Sequence, residues 1–440
     1  MTEPPAPEPP ARSLASATGI LFVSRLVANA GYFVAVWILA RSLGPEGRGA
    51  VAFVTVSALV ASAIAAFGVP SAITVLAQRD PDRRAALLSG AVTFTLVVGL
   101  VVGASAFGGM VALGAGPDAA STALLLSCIP AVAAIALFDL CVTYLVALGR
   151  TTAFALLVAV APWLYAAVLA LVALIADLTI PRAIAIWLVT GIVSGVVPVV
   201  VTAGRVGIAT PDRALTRESV TFGFRAWIGS LAGSLNFRLD QILMGLLATD
   251  AALGVYALAV NVSEVLLYVP AIVGMLLVPL VARTPPAERT GAVTRLFRQS
   301  LVLTAVTCLG AAAIGPVAIP FVFGDAFRPS VTPFLALLPG AFGFAALRLF
   351  SSALVGSSRP GGSSVGPVVA LVAGVALDLA LIPPYGATGA AIAASGAFLA
   401  GGAAAAITYR RETPYPYASL LPSTGDARDA VTLVRRALHR

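Results

Sequence analysis

The sequence predicts an all-α integral membrane protein of about twelve transmembrane helices, arranged in two pseudo-symmetric six-helix lobes. Three observations predict it. The 440-residue chain is 59% hydrophobic and only 10% charged, whereas soluble domains carry about 25% charged residues. Apolar runs longer than the roughly 18 residues that mark a membrane-crossing helix recur along it. A hairpin motif also occurs twice. The first copy, ILARSLGPEGRGAVAF at 38–53, ends one apolar run at Arg41, turns at Gly44-Pro45-Glu46-Gly47 and starts the next at Gly49. Gly and Pro supply the backbone angles such a turn needs. In the second copy, LLATDAALGVYAL at 246–258, Gly254-Val255-Tyr256-Ala257 stands where Gly49-Ala50-Val51-Ala52 stood. Each copy then reaches a glycine, Gly68 or Gly274, and an arginine, Arg79 or Arg283.

Taken in order, residues 1–12, MTEPPAPEPPAR, are Pro-rich and expected to be a disordered cytoplasmic tail without the basic start and cleavage pattern of a signal peptide. Apolar segments follow at about 14–40, 49–76, 86–113, 122–147, 152–176 and 183–204, which make the first lobe, 13–206. The second lobe, 207–409, holds segments at 219–247, 251–281, 296–322, 330–355, 364–382 and 387–408. With the N-terminus inside, the inner loops and flanks carry fifteen arginines and the outer loops four, Arg41, Arg48, Arg182 and Arg328. That bias sets a cytoplasmic N-terminus and, after an even number of spans, a cytoplasmic C-terminus. Six spans per half give the halves one orientation, as in parallel repeats about an axis along the membrane normal. A second echo agrees, with LVALGRTT at 145–152 matched by LVGSSRPG at 354–361. The cytoplasmic tail, 410–440, ends in DARDAVTLVRRALHR, which reads as a short amphipathic helix for the anionic inner leaflet or as a frayed soluble end.

Composition also excludes. A net charge of +8 raises nucleic acid as a partner, but the arginines lie in short loops, where membrane topology accounts for them. Cys128, Cys141 and Cys308 sit in apolar runs without metal-ligand spacing, and the one histidine is His439 in the tail. No metal site, cofactor or catalytic triad is expected.

Charges inside a bilayer cost roughly 2.5–3.5 kcal/mol each on insertion scales, so each needs a reason. Arg25, Asn29 and Tyr32 follow i, i+4, i+7 spacing and share a helix face. They form either a polar cavity wall with an anion-binding arginine or a structural pair with a neighbouring helix. Asn236 and Asp240 are also four apart, while Arg238 and Asp240, two apart, point to different sides of a helix. One of those two charges is expected to face a cavity and the other an adjacent helix. Glu264, with no partner in the sequence, is a candidate proton or cation site. Asp378 falls late in its segment, near the outer end. Asp139 and Arg348 lie equally far before the echoed Arg150 and Arg359. Opposite charges at equivalent places suggest a gate pair; a static partner for Asp139 within its own lobe is the plainer alternative.

LARSLGPEGRGAVAF (39–53), LVALGR (145–150), RLDQILMGLLATDAALGVYALA (238–259) and LIPPYGATGAAIAAS (381–395) together resemble the Wzx-type oligosaccharide flippases, the polysaccharide branch of the multidrug/oligosaccharidyl-lipid/polysaccharide exporter superfamily. The resemblance runs from residue 14 to about 409. It departs at Ser357-Ser358-Arg359, where a Gly-Arg pair is usual, and at Asp378, where Asn is common. It implies two lobes around a central cavity in the bacterial plasma membrane. It also implies transport of an undecaprenyl-diphosphate-linked oligosaccharide from inner to outer leaflet, with membrane lipids and other polysaccharide assembly proteins as partners. A diphosphate suits arginine, which binds it bidentately. Sugars suit Asn29, Tyr32 and Asn236. Three alternatives stay open. A drug/cation antiporter of the same superfamily would want acids in the first half, where Asp139 is the one available. A glycan polymerase or ligase would want a large outer domain, and the outer loops are short. A scaffold would have no use for buried arginines.

Overall fold

A computed structural model of the chain describes residues 11–413 apart from Ser358. The tail expected at 1–12 is therefore described only from Ala11, and the amphipathic helix expected at 426–440 lies outside the described residues. Among the described residues every regular element is a helix. They run α1 (Ala11–Ala65), α2 (Val69–Arg79), α3 (Arg84–Ala112), α4 (Thr122–Ser127), α5 (Ile129–Ala147), α6 (Thr151–Ile175), α7 (Ile180–Val206) and α8 (Arg213–Leu235). Then come α9 (Leu239–Leu247), α10 (Asp250–Ser263), α11 (Tyr268–Arg283), α12 (Pro286–Phe323), α13 (Val331–Gly356), α14 (Pro360–Ser363) and α15 (Val365–Glu412).

Nine helical runs among the described residues are long and apolar enough to cross a membrane, so the chain is a multi-pass membrane protein. Two of the nine are too long to be single crossings. The run Gly19–Ala65 has 47 residues, about 70 Å if straight, against a hydrocarbon core of about 30 Å. It breaks at Gly44 (φ 66°, ψ −172°), with Pro45 following. Gly361–Glu412 has 52 residues and breaks at Gly386 (φ 53°, ψ −130°). Both breaks use the left-handed region that a residue without Cβ enters freely. Beyond Gly386 the chain folds back on itself: Gly366 lies against Ala405 and Gly401, and Gly401 against Ala370. Small residues let the two limbs approach closely. Divided this way, and with the charge-bearing α8–α9 counted, the runs are consistent with about twelve crossings.

The chain forms two compact units, Met1–Ser42 with Ser57–Ile228, and Leu43–Val56 with Gly229–Arg440. The sequence reading put the boundary in the loop at 206/207; in the structure it falls inside α8, and residues 43–56 go with the second unit. Packing of glycine backbones explains both differences. In the second unit, Gly49 leaves no room for a side chain against the Asp250 carbonyl and Gly254, and Gly254 leaves none against the Pro45 carbonyl. The two copies of the hairpin motif thus pack directly on each other. In the first unit, Gly223 of α8 meets Gly68 backbone to backbone, and the Trp227 indole N–H donates to the Ala63 carbonyl at 3.0 Å. The first unit's core includes Ile73, Leu87, Leu137 and Tyr144, and the second's includes Leu277, Val281, Phe350 and Tyr409.

Candidate functional site

Each unit presents its own charged group. In the first, α1 carries Arg25, Asn29 and Tyr32, all exposed. The helix is fixed by its contact with α6. Gly31 lies against the Trp163 ring, whose indole N–H donates to the Val27 carbonyl at 2.9 Å. Asp139 stands on the surface of α5, and the charge that acts on it is Arg25. Small residues hold α5 in place: Gly99 and Gly103 of α3 close on Ala133 and Ile129, and Gly195 of α7 closes on Ala134. Gly191, one turn before Gly195, faces open space. The charge of Arg25 on α1 thus reaches the carboxylate of α5.

In the second unit the expected continuous helix at 219–247 is interrupted. Helix α8 ends at Leu235 and α9 begins at Leu239, with Arg238 in the turn between them (φ −139°, ψ −19°). Freed from helical geometry, Arg238 donates from Nη1 to Glu264 Oε1 at 2.6 Å and to the Phe237 carbonyl at 3.2 Å. Glu264 opens a 3₁₀ turn, Glu264–Leu267, between α10 and α11. Its partner was invisible in the sequence because the two residues stand 26 positions apart, with α9 and α10 between them. The pair is partly exposed, at 28% and 25%.

Asp240 goes the other way. Its carboxylate accepts the Tyr256 hydroxyl and the Gln241 backbone N–H at 2.7 Å. Tyr256 is fully buried, which turns a residue of the repeated hairpin into a hydrogen-bond anchor. Asp378 of α15 is also buried, at 4% exposure. Its Oδ1 has no hydrogen-bond partner among the described residues, and the charge of Asp240 acts on it. Asp240, Asp378 and Asn236 line a cavity of about 20 Å³, large enough for one water-sized species. Asn236 itself donates to the Pro367 carbonyl at 2.9 Å. The structure therefore joins Arg238 with Glu264, and Asp240 with Tyr256, Asn236 and Asp378. Tyr256 was absent from the candidate residues, and Asp378 was noted only as a charge near the outer end of its segment; the signal for both was a polar group within an apolar run.

Arg348 of α13 is exposed, and its aliphatic stem packs on Gly274. No carboxylate lies within salt-bridge distance of it among the described residues. Among those residues no group of three or more His, Cys, Asp or Glu side chains is arranged to hold a metal ion.

The family profile described as "Polysaccharide biosynthesis protein" matches residues 14–285. A search of curated protein sequences finds no match to this chain. Among solved structures, the chain is similar to "Lipid II flippase MurJ, inward closed conformation", with a TM-score of 0.77 at 13% identity, covering 95% of this chain and 91% of that one. It is also similar to an inward-facing multidrug resistance MATE family transporter of the MOP superfamily, with a TM-score of 0.69 at 13% identity, covering 89% and 97%. A third is the MATE multidrug transporter DinF-BH, with a TM-score of 0.61 at 14% identity, covering 92% and 96%. At such identities these likenesses establish a shared transporter fold.

Proposed function

Because the chain belongs to the polysaccharide biosynthesis protein family, we propose that it is a flippase of the bacterial plasma membrane. Its cargo is an oligosaccharide linked through a diphosphate to undecaprenol, carried from the inner to the outer leaflet by alternating access. Both chain termini lie in the cytoplasm, as the loop arginines require.

The observation that carries this reading is the exposed Arg25 on a membrane-spanning helix, with one carboxylate, Asp139, within reach of its charge. An exposed guanidinium is suited to receive a diphosphate, which it can bind bidentately. Asn29 and Tyr32, above Arg25 on the same face, supply the hydrogen-bonding and stacking groups that sugars need. The charge of Arg25 acting on Asp139 favours a partner for Asp139 within its own lobe over the pairing with Arg348. Arg348 remains a second cation for the anionic cargo. The cluster of Asp240, Asp378 and Tyr256 is where a coupling proton or alkali cation exchanges, because two neighbouring carboxylates in a one-water cavity bind a single cation more readily than either does alone.

Arg25→Ala abolishes complementation of a flippase-deficient strain at normal protein level, and Arg25→Lys restores it only in part, since lysine lacks the planar fork. Full complementation by Arg25→Ala would remove Arg25 from the reading. The acidic cluster, together with the MATE-type fold, also favours a second reading, a cation-coupled drug exporter. Efflux of a cationic dye from vesicles, driven by a proton or sodium gradient, would select it.

A further inference from the structure

The second limb of α1, from Gly49 to Ala65, is gripped at both ends through bare glycine backbone. At one end Gly49 meets Gly254 of α10, and just past the other Gly68 meets Gly223 of α8. The two grips are dressed differently. Around Gly49 the packing is closed, with Ala50, Val51, Val54 and Tyr256 all buried. Around Gly68 it is half open, with Phe224 44% exposed and Phe67 only partly buried. Among the described residues Phe67 is also the one non-glycine residue with a positive φ, 43°. A bulky side chain adopts that conformation only where its surroundings hold it there. What holds Phe67 is a set of rings. Its own ring stacks on Trp227 with centroids 4.9 Å apart and planes at 9°, and on Phe224 at 6.2 Å. Phe94 of α3 meets it edge-on at 6.3 Å. Two of these three rings come from α8, and the Trp227 N–H donates to Ala63 on the same limb.

Helix α8 is jointed on either side of this contact. Before it, Asp212 ties the start of the helix to Arg83, between α2 and α3. After it, α8 passes from the first unit to the second at Ile228/Gly229. The next residues, Gly229-Ser230-Leu231-Ala232-Gly233-Ser234, include two glycines, which weaken a helix, and the helix ends at Leu235. The segment 213–228 therefore lies between a pivot and a joint, and the rings keep it on α1. It starts in the basic loop that the charge bias puts inside, so the contact closes the inner side.

We propose that Phe67, Phe224 and Trp227 form a latch that keeps the inner side of the transporter shut. Breaking their stack lets α8 leave Gly68 and admits cargo from the inner leaflet, and the backbone of Phe67 relaxes as it does so. The proposal rests on the alternating access of the flippase reading and adds to it the contact that opens.

Opening is read without any cargo. Ser219, 1% exposed, stands one turn before Gly223 on the same face of α8, so Ser219→Cys places a thiol behind the latch. In inverted membrane vesicles, which present the cytoplasmic face, an impermeant methanethiosulfonate labels that thiol slowly. Phe67→Gly tolerates the positive φ but removes the ring, and it speeds labelling about tenfold, or about 1.4 kcal/mol of closed-state stability. Trp227→Phe keeps a ring, loses the bond to Ala63 and gives a smaller increase. Native Cys128 and Cys141, fully buried in the same unit, stay unlabelled, which separates opening from unfolding. In right-side-out vesicles nothing accelerates. Unchanged labelling in Phe67→Gly, or acceleration from the outer face, would overturn the latch and leave the flippase reading standing. Labelling that spreads to Cys128 and Cys141 in both variants would also overturn it, because the rings would then hold the fold and not a gate. Accelerated labelling in a protein that complements no flippase-deficient strain would keep the latch and overturn the flippase reading.

Discussion

In the unit containing α5, Arg25 is exposed on its helix and its charge reaches one carboxylate, Asp139. In the unit containing α15, three charges are tied into the structure while Arg348 stays exposed: Arg238 by a salt bridge to Glu264, Asp240 by Tyr256 and a backbone N–H, and Asp378 by burial. The glycines diverge in the same way. Gly68 breaks the helix between α1 and α2 with φ 70°, whereas its echo Gly274 lies inside a continuous α11. The second half places its break elsewhere, at Arg238 and again at Glu264–Leu267. A repeat can therefore preserve packing while reassigning chemistry, one copy keeping an exchangeable charge and the other a rigid polar network.

The shared packing is the easiest part to break. Gly254→Val drives a side chain into the Pro45 carbonyl, and Gly49→Val drives one into the Asp250 carbonyl. Backbone atoms cannot rotate away, so each change costs more than the roughly 1–3 kcal/mol of ordinary overpacking. Neither variant is expected to give a monodisperse peak on size exclusion. At Gly274 the obstructing group is the stem of Arg348, which can shift, so Gly274→Ala yields folded protein. A folded Gly254→Val would show that the hairpins are not held by this contact.

The rigid network gives a smaller effect. Tyr256→Phe removes a donor from a carboxylate that keeps only the Gln241 N–H, at a cost of about 1–3 kcal/mol. Asp378→Asn breaks no hydrogen bond at Oδ1 and removes a like charge beside Asp240, so its melting temperature stays at or above that of the wild type. Thermal unfolding followed by tryptophan fluorescence orders the two. A larger loss for Asp378→Asn would reverse the assignment of Asp240 as the anchored carboxylate.

Much of the fold was legible because bilayer physics is written in composition. Long apolar runs, turn glycines and the repeated hairpin located the helices and both halves. The unit boundary was not legible, because it depends on Gly49 meeting Gly254 and Gly68 meeting Gly223, contacts between residues far apart in sequence. At the candidate site, the i, i+4 rule placed Arg25 and Asn29 on one exposed face and assumed a helix through Arg238 that the chain does not form. Where the helix breaks, spacing loses its meaning, and Glu264 acquired a partner that no periodicity could assign.

The smallest effect concerns the segment that joins the halves. Asp212 stands just ahead of α8, its Oδ1 accepting the N–H groups of Ala214 at 2.8 Å and Leu215 at 3.2 Å, and its Oδ2 paired with Arg83. These backbone donors first, and the Arg83 guanidinium after them, hold its carboxyl below the usual carboxylate range. A depressed folded-state pKa contributes stability above the unfolded value, near pH 3.9, and loses it as pH falls through the folded value. The contribution is therefore full at neutral pH and disappears in acid. Asp212→Asn keeps the capping oxygen but not the charge, and Asp212→Ala keeps neither. At pH 7 the melting temperature should fall in the order wild type, Asp212→Asn, Asp212→Ala. Near pH 3 the wild type and Asp212→Asn should converge. Added salt should shrink the part due to Arg83, which is half exposed, and spare the part due to the cap. A gap between wild type and Asp212→Asn that persists unchanged at pH 3 would mean that the carboxylate's charge does not tie this segment down.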